Sequence, residues 1–214
     1  MQQNKKLLNR LGLLLIFATL IFGIFLMARS LANPQEENNL EKVTDEGFLP
    51  SENGKAVLVE FSDFQCPACG IYYPLVKKLK TDLGDKLTVV YKHFPLSQIH
   101  KNADLAARTA EAAKIQGKFW EMHDMIFEKQ NEWSGSNQAL SLFSSYAVSL
   151  GLDKDKFLQD IDSNEVRNKI SDDYQRGVRL GVKGTPTFFL NGKKIANPGN
   201  YDDFKSIIEQ SIKQ

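Results

Sequence analysis

Residues 59–70 read VEFSDFQCPACG, from Val59 through Cys66-Pro67-Ala68-Cys69 to Gly70. The approach to this stretch, Ala56-Val57-Leu58-Val59-Glu60-Phe61, is apolar and β-branched, as a central strand requires. Beyond the cysteines the pattern turns helical. Ile71, Leu75, Val76 and Leu79 recur at helical spacing over residues 67–82, and Gly84 stands just past the end. Leu87-Thr88-Val89-Val90-Tyr91 then reads as a second strand. Strand, helix and strand in this order form a βαβ unit with a parallel strand pair.

The two cysteines at the start of that helix are the only two of the chain. Such a count builds no disulfide scaffold, but it can build one local redox pair. Unpaired N–H groups and the macrodipole at a helix N-terminus favour a negative charge, so a Cys66 thiolate is expected there at lowered pKa. Cys69, one turn further in, is expected to be the more buried sulfur and the partner that closes a Cys66–Cys69 disulfide. Pro67 is tolerated at an early helical position, where its missing N–H would be unpaired anyway. Ala68 completes the motif.

Other readings of the motif are weaker. A zinc site wants four ligands, yet no second CxxC exists and the histidines are scattered at 93, 100 and 123. No metal is expected. A structural disulfide closing so short a loop would add little stability.

Downstream, residues 98–180 contain no convincing strand. Asn102–Gln116 is alanine-rich and stops at Gly117; Lys118–Lys129 carries Phe119, Met122 and Ile126 on one face. Asn137–Leu150 carries Leu140, Phe143, Ala147 and Leu150. Asp153 and Ser163 read as N-caps of two more helices, the last with Val166, Ile170 and Tyr174 inward. Strands return at Thr187–Leu190 and Lys193–Ile195, joined by Asn191-Gly192, the pair that supplies the positive φ angles of a type I′ hairpin. Residues 201–212 form a closing helix with Phe204, Ile207, Ile208 and Ile212 inward.

Four features together resemble the DsbA-like branch of the thioredoxin superfamily, over about residues 55–213. They are the Val59–Gly70 segment, Pro74 five residues after Cys69, Gly184-Thr185-Pro186-Thr187-Phe188-Phe189, and the helical insertion before that loop. Membrane-anchored relatives of the Gram-positive BdbD type are the nearest in character. The resemblance implies an α/β thioredoxin fold, a central mixed sheet flanked by helices, with an all-helical insertion. It implies a cis Thr185–Pro186 bond beside the disulfide, with the Thr185 backbone placed to contact an extended substrate chain. It also suggests Glu60 as a proton relay beneath the active site; the alternative is an exposed strand carboxylate. Phe61 and Phe64 are either substrate surface or core. His93 either tunes Cys66 or plays no part. Trp120, Met122 and Met125 read as insertion core, and Lys193-Lys194 as a solvated hairpin tip.

The N-terminus carries a separate signal. Leu11–Ala28 is eighteen uncharged residues, long enough at about 1.5 Å per residue to cross most of a bilayer core of roughly 30 Å. Lys5, Lys6 and Arg10 precede it. The positive-inside bias puts residues 1–10 in the cytoplasm, residues 11–28 in the membrane as a signal-anchor, and the rest outside. Ser30-Leu31-Ala32 also offers small residues to a signal peptidase, so a cleaved, secreted form is the alternative. The expected organisation is then a linker at 29–54, a core from 55–97 and 181–214, and an insertion at 98–180.

Taken together, the residues point to an extracytoplasmic thiol–disulfide oxidoreductase without cofactor. The leading reading is an oxidase that donates the Cys66–Cys69 disulfide to reduced exported proteins. The family implies re-oxidation by a quinone-linked membrane partner of DsbB or VKOR type. The alternatives are a reductase or isomerase with the same site, or a non-catalytic protein that holds a metal or a partner. A net charge of +1 leaves no footprint for nucleic acid.

Overall fold

The computed structural model describes residues 55–213. The expected cytoplasmic segment, signal-anchor and linker lie outside the described residues. Among the described residues, no helix is long and apolar enough to cross a membrane.

Strand β1 (Ala56–Ser62) leads into helix α1 (Pro67–Leu83), and a short 3-10 turn at Gly84–Lys86 delivers the chain to β2 (Leu87–His93). The insertion follows as α2 (Ala103–Ile115), α3 (Phe119–Glu128), α4 (Gln130–Trp133), α5 (Ala139–Ser149), α6 (Lys154–Ile161) and α7 (Asn164–Arg179). β3 (Thr187–Leu190), β4 (Lys193–Ile195) and α8 (Tyr201–Ile212) complete the fold.

The sheet order is β2-β1-β3-β4. β1 runs parallel to β2, with Glu60 opposite Tyr91, and antiparallel to β3, with Glu60 opposite Phe188. β1 is therefore central, and side chains of alternate residues face opposite layers. Leu58 packs with Val76, Leu79, Phe188, Phe204 and Ile208, between the sheet and helices α1 and α8. Val59 and Phe61 pack with Phe94, Val182 and Phe189 on the other face, where Tyr174 of α7 joins them. A strand buried on both faces has to be apolar along most of its length, which accounts for the AVLVEF composition. Glu60 is the exception.

Several local devices act as expected. Asp153 and Ser163 cap α6 and α7 by accepting from Lys156 N–H and Val166 N–H. Asn191 (φ 48°) and Gly192 (φ 78°) supply the hairpin turn. Two expectations fail. Ile71 and Leu140 are exposed rather than inward. In α1 the inward stripe is Cys69, Tyr73, Val76 and Leu79, a set four, three and three residues apart, and Ile71 falls nearly opposite it. The four-residue helix α4 was not expected, because four residues carry no readable period.

Candidate active site

Cys66 is the N-cap of α1, in extended conformation, with Pro67 directly after it. Its N–H donates to Asp63 O at 3.0 Å, which closes the turn out of β1. Both cysteines are reduced and buried, Cys66 at 7% exposure and Cys69 at 0%, while Pro67 is exposed. The Thr185–Pro186 bond is cis. That loop is brought against the cysteines, where Cys66 Sγ donates to Thr185 O at 3.4 Å. Thr187 Oγ1 holds the loop by donating to Gly184 O at 2.7 Å, and Asn197 Nδ2 donates to Pro186 O at 3.0 Å.

The two sulfurs are driven in opposite directions. The Cys69 thiol, as a hydrogen-bond donor, lowers the Cys66 pKa to about 5, overcoming the upward push of burial. The Thr185 side chain and the N–H groups of Cys69 and Ala68 pull the same way. Helix N–H groups thus help, as the sequence suggested, but the neighbouring thiol is the larger cause. Cys69 is pushed well above its ordinary value, first by burial, then by its bond to Cys66 and the charge of Glu60. At neutral pH the pair is therefore a Cys66 thiolate beside a Cys69 thiol.

Glu60 is buried on the α1 side of β1, at 3% exposure. Burial pushes its carboxyl up to about 7, and the Ser62 hydroxyl pulls less strongly the other way. The exposed-carboxylate reading of this residue is excluded. Phe61 and Phe64 are core, not substrate surface; Phe64 stacks on Tyr91 with ring centroids 4.9 Å apart. His93 is turned to Glu111, its Nε2 lying 2.9 Å from Oε1, and so does not serve Cys66. Met122 is buried in the insertion core, with Trp120 and Met125 packed against it. Lys193 and Lys194 are exposed.

Sequence reasoning missed a clamp around the active-site turn. Gln130 Nε2 donates to Phe64 O at 2.6 Å and to Cys66 O at 3.0 Å. Gln65 Nε2 donates to Ser134 O, and Gln65 Oε1 accepts from Asn102 N–H. Gly70 makes room, because a Cβ there would lie 2.7 Å from Gln130 Oε1. Asp63 adds a further tie, accepting from Gln65 N–H, from Leu96 N–H and from His100 at Nδ1. The Asp63–Gln65 bond is an Asx turn, which an Asp at the end of a strand could have signalled. Gln130 and Asn102 carry no local signal. Among the described residues, no group of three or more His, Cys, Asp or Glu side chains gathers as a metal site.

Comparison with known proteins supports the fold. The family model described as Thioredoxin matches residues 45–210. Oxidised BdbD from Bacillus subtilis is similar in structure, with a TM-score of 0.66 and 24% identity, covering 78% of this chain and 92% of that one. A thioredoxin-like oxidoreductase from Silicibacter pomeroyi DSS-3 gives a TM-score of 0.63 and 26% identity over 78% and 91% of the two chains. The Na(+)/H(+) antiporter NhaA 1 of Mycobacterium sp. strain KMS is 39% identical over 146 residues, 66% of this chain. The match spans only 23% of that antiporter's length, so its name describes a much longer protein.

Proposed function

This chain belongs to the thioredoxin family, and from that premise we propose that it is a thiol–disulfide oxidoreductase working as a disulfide donor through Cys66 and Cys69. One observation carries the reading: a Cys66 thiol lowered to about 5 at a helix N-terminus, 3.4 Å from the carbonyl that precedes a cis proline. In the donor cycle a substrate thiolate attacks Cys66 Sγ of the oxidised pair. The Cys66–Cys69 bond breaks, and Cys69 leaves and takes up a proton. A second substrate thiolate then attacks the substrate sulfur of the mixed disulfide and expels Cys66 as a stable thiolate. The substrate has lost two electrons and the pair has gained them. A stable Cys66 thiolate favours the reduced pair, which makes the oxidised pair a good donor.

Extended substrate would lie along the Thr185 backbone by short strand-like pairing, with Pro186 fixing the loop. The Leu11–Ala28 segment would tether the domain outside the cytoplasm, where disulfides persist. Its substrates there would be reduced exported proteins. Tethering also raises the effective concentration of a quinone-linked re-oxidant of DsbB or VKOR type.

The reduction potential of the pair against glutathione tests the direction. A value well above roughly −200 mV marks a donor, and one near −270 mV marks a reductant and overturns the direction proposed. A Cys66→Ser variant that refolds a reduced substrate as fast as wild type would remove the whole assignment.

A further inference from the structure

The carbonyl of Phe64, just before α1, has no local hydrogen-bond donor. Phe64 is buried, and a buried C=O needs one. In a tight turn the donor would be the N–H three residues on. That residue is Pro67, which has no N–H. The next two N–H groups, of Ala68 and Cys69, are turned to the Cys66 sulfur, where they help to hold the thiolate after the larger effect of the Cys69 thiol. Among the described residues no backbone N–H donates to Phe64 O. A Cys-Pro turn whose first helical N–H groups serve an anion therefore needs a donor from elsewhere in the chain.

The insertion supplies it. Gln130 Nε2 has two hydrogens, and it donates to Phe64 O at 2.6 Å and to Cys66 O at 3.0 Å. Cys66 O also accepts from Gly70 N–H at 3.1 Å. One amide thus holds the carbonyls on both sides of Gln65. The amide is itself well anchored. Trp133, at the other end of the four-residue α4, is fully buried and donates from Nε1 to Ile126 O at 2.8 Å. Asn102 Nδ2 donates to the carbonyls of Trp133, Ser134 and Ser136. Gly70 leaves the gap through which the amide reaches, since a Cβ there would lie 2.7 Å from Gln130 Oε1. We propose that Gln130 is a positioning residue of the redox pair: by holding the Phe64 and Cys66 carbonyls it keeps the first N–H groups of α1 aimed at Cys66, and so sets how strongly the pair donates its disulfide.

The inference rests on the donor reading of Cys66 and Cys69 and deepens it. Without the amide, Phe64 O is a buried acceptor with no partner, and it competes for the N–H groups of Ala68 and Cys69. Each N–H drawn toward Phe64 is drawn away from the sulfur. Only the reduced pair has a thiolate to lose by this. The equilibrium therefore moves toward the disulfide, and the protein becomes a weaker donor. A role confined to stability would weaken both redox states alike and leave that equilibrium unmoved.

Equilibration with glutathione tests it. Two glutathione thiols are oxidised to one glutathione disulfide as the Cys66–Cys69 disulfide is reduced to two thiols, so the electrons balance. Gln130→Met keeps the length of the side chain and removes both donor hydrogens. It is expected to shift the equilibrium toward oxidised protein by about three- to tenfold, the scale of one hydrogen bond, or about 15–30 mV. The ultraviolet absorbance of the Cys66 thiolate should appear at higher pH than in wild type. Gly70→Ala keeps Gln130 but drives its amide away. The tip of Gln130 is flexible and alanine favours a helix, so this variant should fold as wild type does and show both changes; it carries the test if Gln130→Met fails to fold. In the double variant the shift should equal that of Gln130→Met alone, because no donor is left to displace. A wild-type equilibrium and titration in either folded variant, or shifts that add in the double variant, overturn the inference and leave the donor reading standing. A wild-type pair that stays oxidised in excess glutathione overturns the donor reading instead, whatever the variants do.

Discussion

Glu60 is a carboxyl that the fold would hold more cheaply as the neutral acid. Burial raises it from 4.5 to about 7, so between those values the folded chain binds a proton that the unfolded chain has released. Stability contributed by the neutral form is therefore fully present below about 4.5 and is lost as pH rises through about 7. The interval corresponds to roughly 3 kcal/mol. Urea unfolding of Glu60→Gln and wild type across this range should show the difference moving toward the variant by up to that amount between pH 4.5 and 8. A difference that stays flat with pH would mean that Glu60 is solvated. The residue was legible in the sequence because its spacing from Cys66 lies within one continuous segment. Gln130 was not, since it stands 64 positions from Cys66 and only the packing of the insertion brings its amide to the Cys66 carbonyl.

At the scale of elements, α7 approaches the sheet through a glycine. A Cβ on Gly177 would lie 2.7 Å from Phe94 Cδ2, 2.8 Å from Phe94 Cε2 and 3.0 Å from Phe61 Cδ1. Alanine is the better helix former by about 1 kcal/mol, so an exposed site would gain from Gly→Ala. Here the rings are core and cannot step back, and overpacking costs about 1–3 kcal/mol. Thermal unfolding of Gly177→Ala is expected to show net destabilisation, and a gain in Tm would show that α7 can retreat from the strands. Most elements could be read from the chain, because strands β1 to β4, the Asn191-Gly192 turn and the caps at Asp153 and Ser163 follow local rules. What could not be read was orientation. Ile71 and Leu140 looked inward on spacing alone, but the face a helix buries depends on what it lies against. Among the described residues of α1, Cys69 and Tyr73 meet the insertion core and Val76 and Leu79 the sheet.

For the molecule as a whole, the redox state and the stability of the fold are linked through one sulfur. Cys66 titrates at about 5 in the folded chain against an ordinary value of 9.0. A lowered pKa contributes stability that is complete above about 9 and disappears as pH falls to about 5. Only the reduced protein has this thiol to ionise. Its melting temperature should therefore exceed that of the oxidised protein at pH 8, and the gap should narrow as pH falls toward 5. Calorimetry of the two forms across that range checks the expectation; a gap that widens in acid would contradict the ionised Cys66. The active-site turn is also not the property of the thioredoxin core alone. Carbonyls of Phe64 and Cys66 accept from Gln130, and Gln65 is anchored at Ser134 and Asn102, all contributed by chain between β2 and β3. Reducing this protein to a minimal scaffold by deleting residues 98–180 would leave both cysteines in the sequence while stripping the scaffold of the groups that hold their loop, so the smallest version that keeps the loop in place includes its helices.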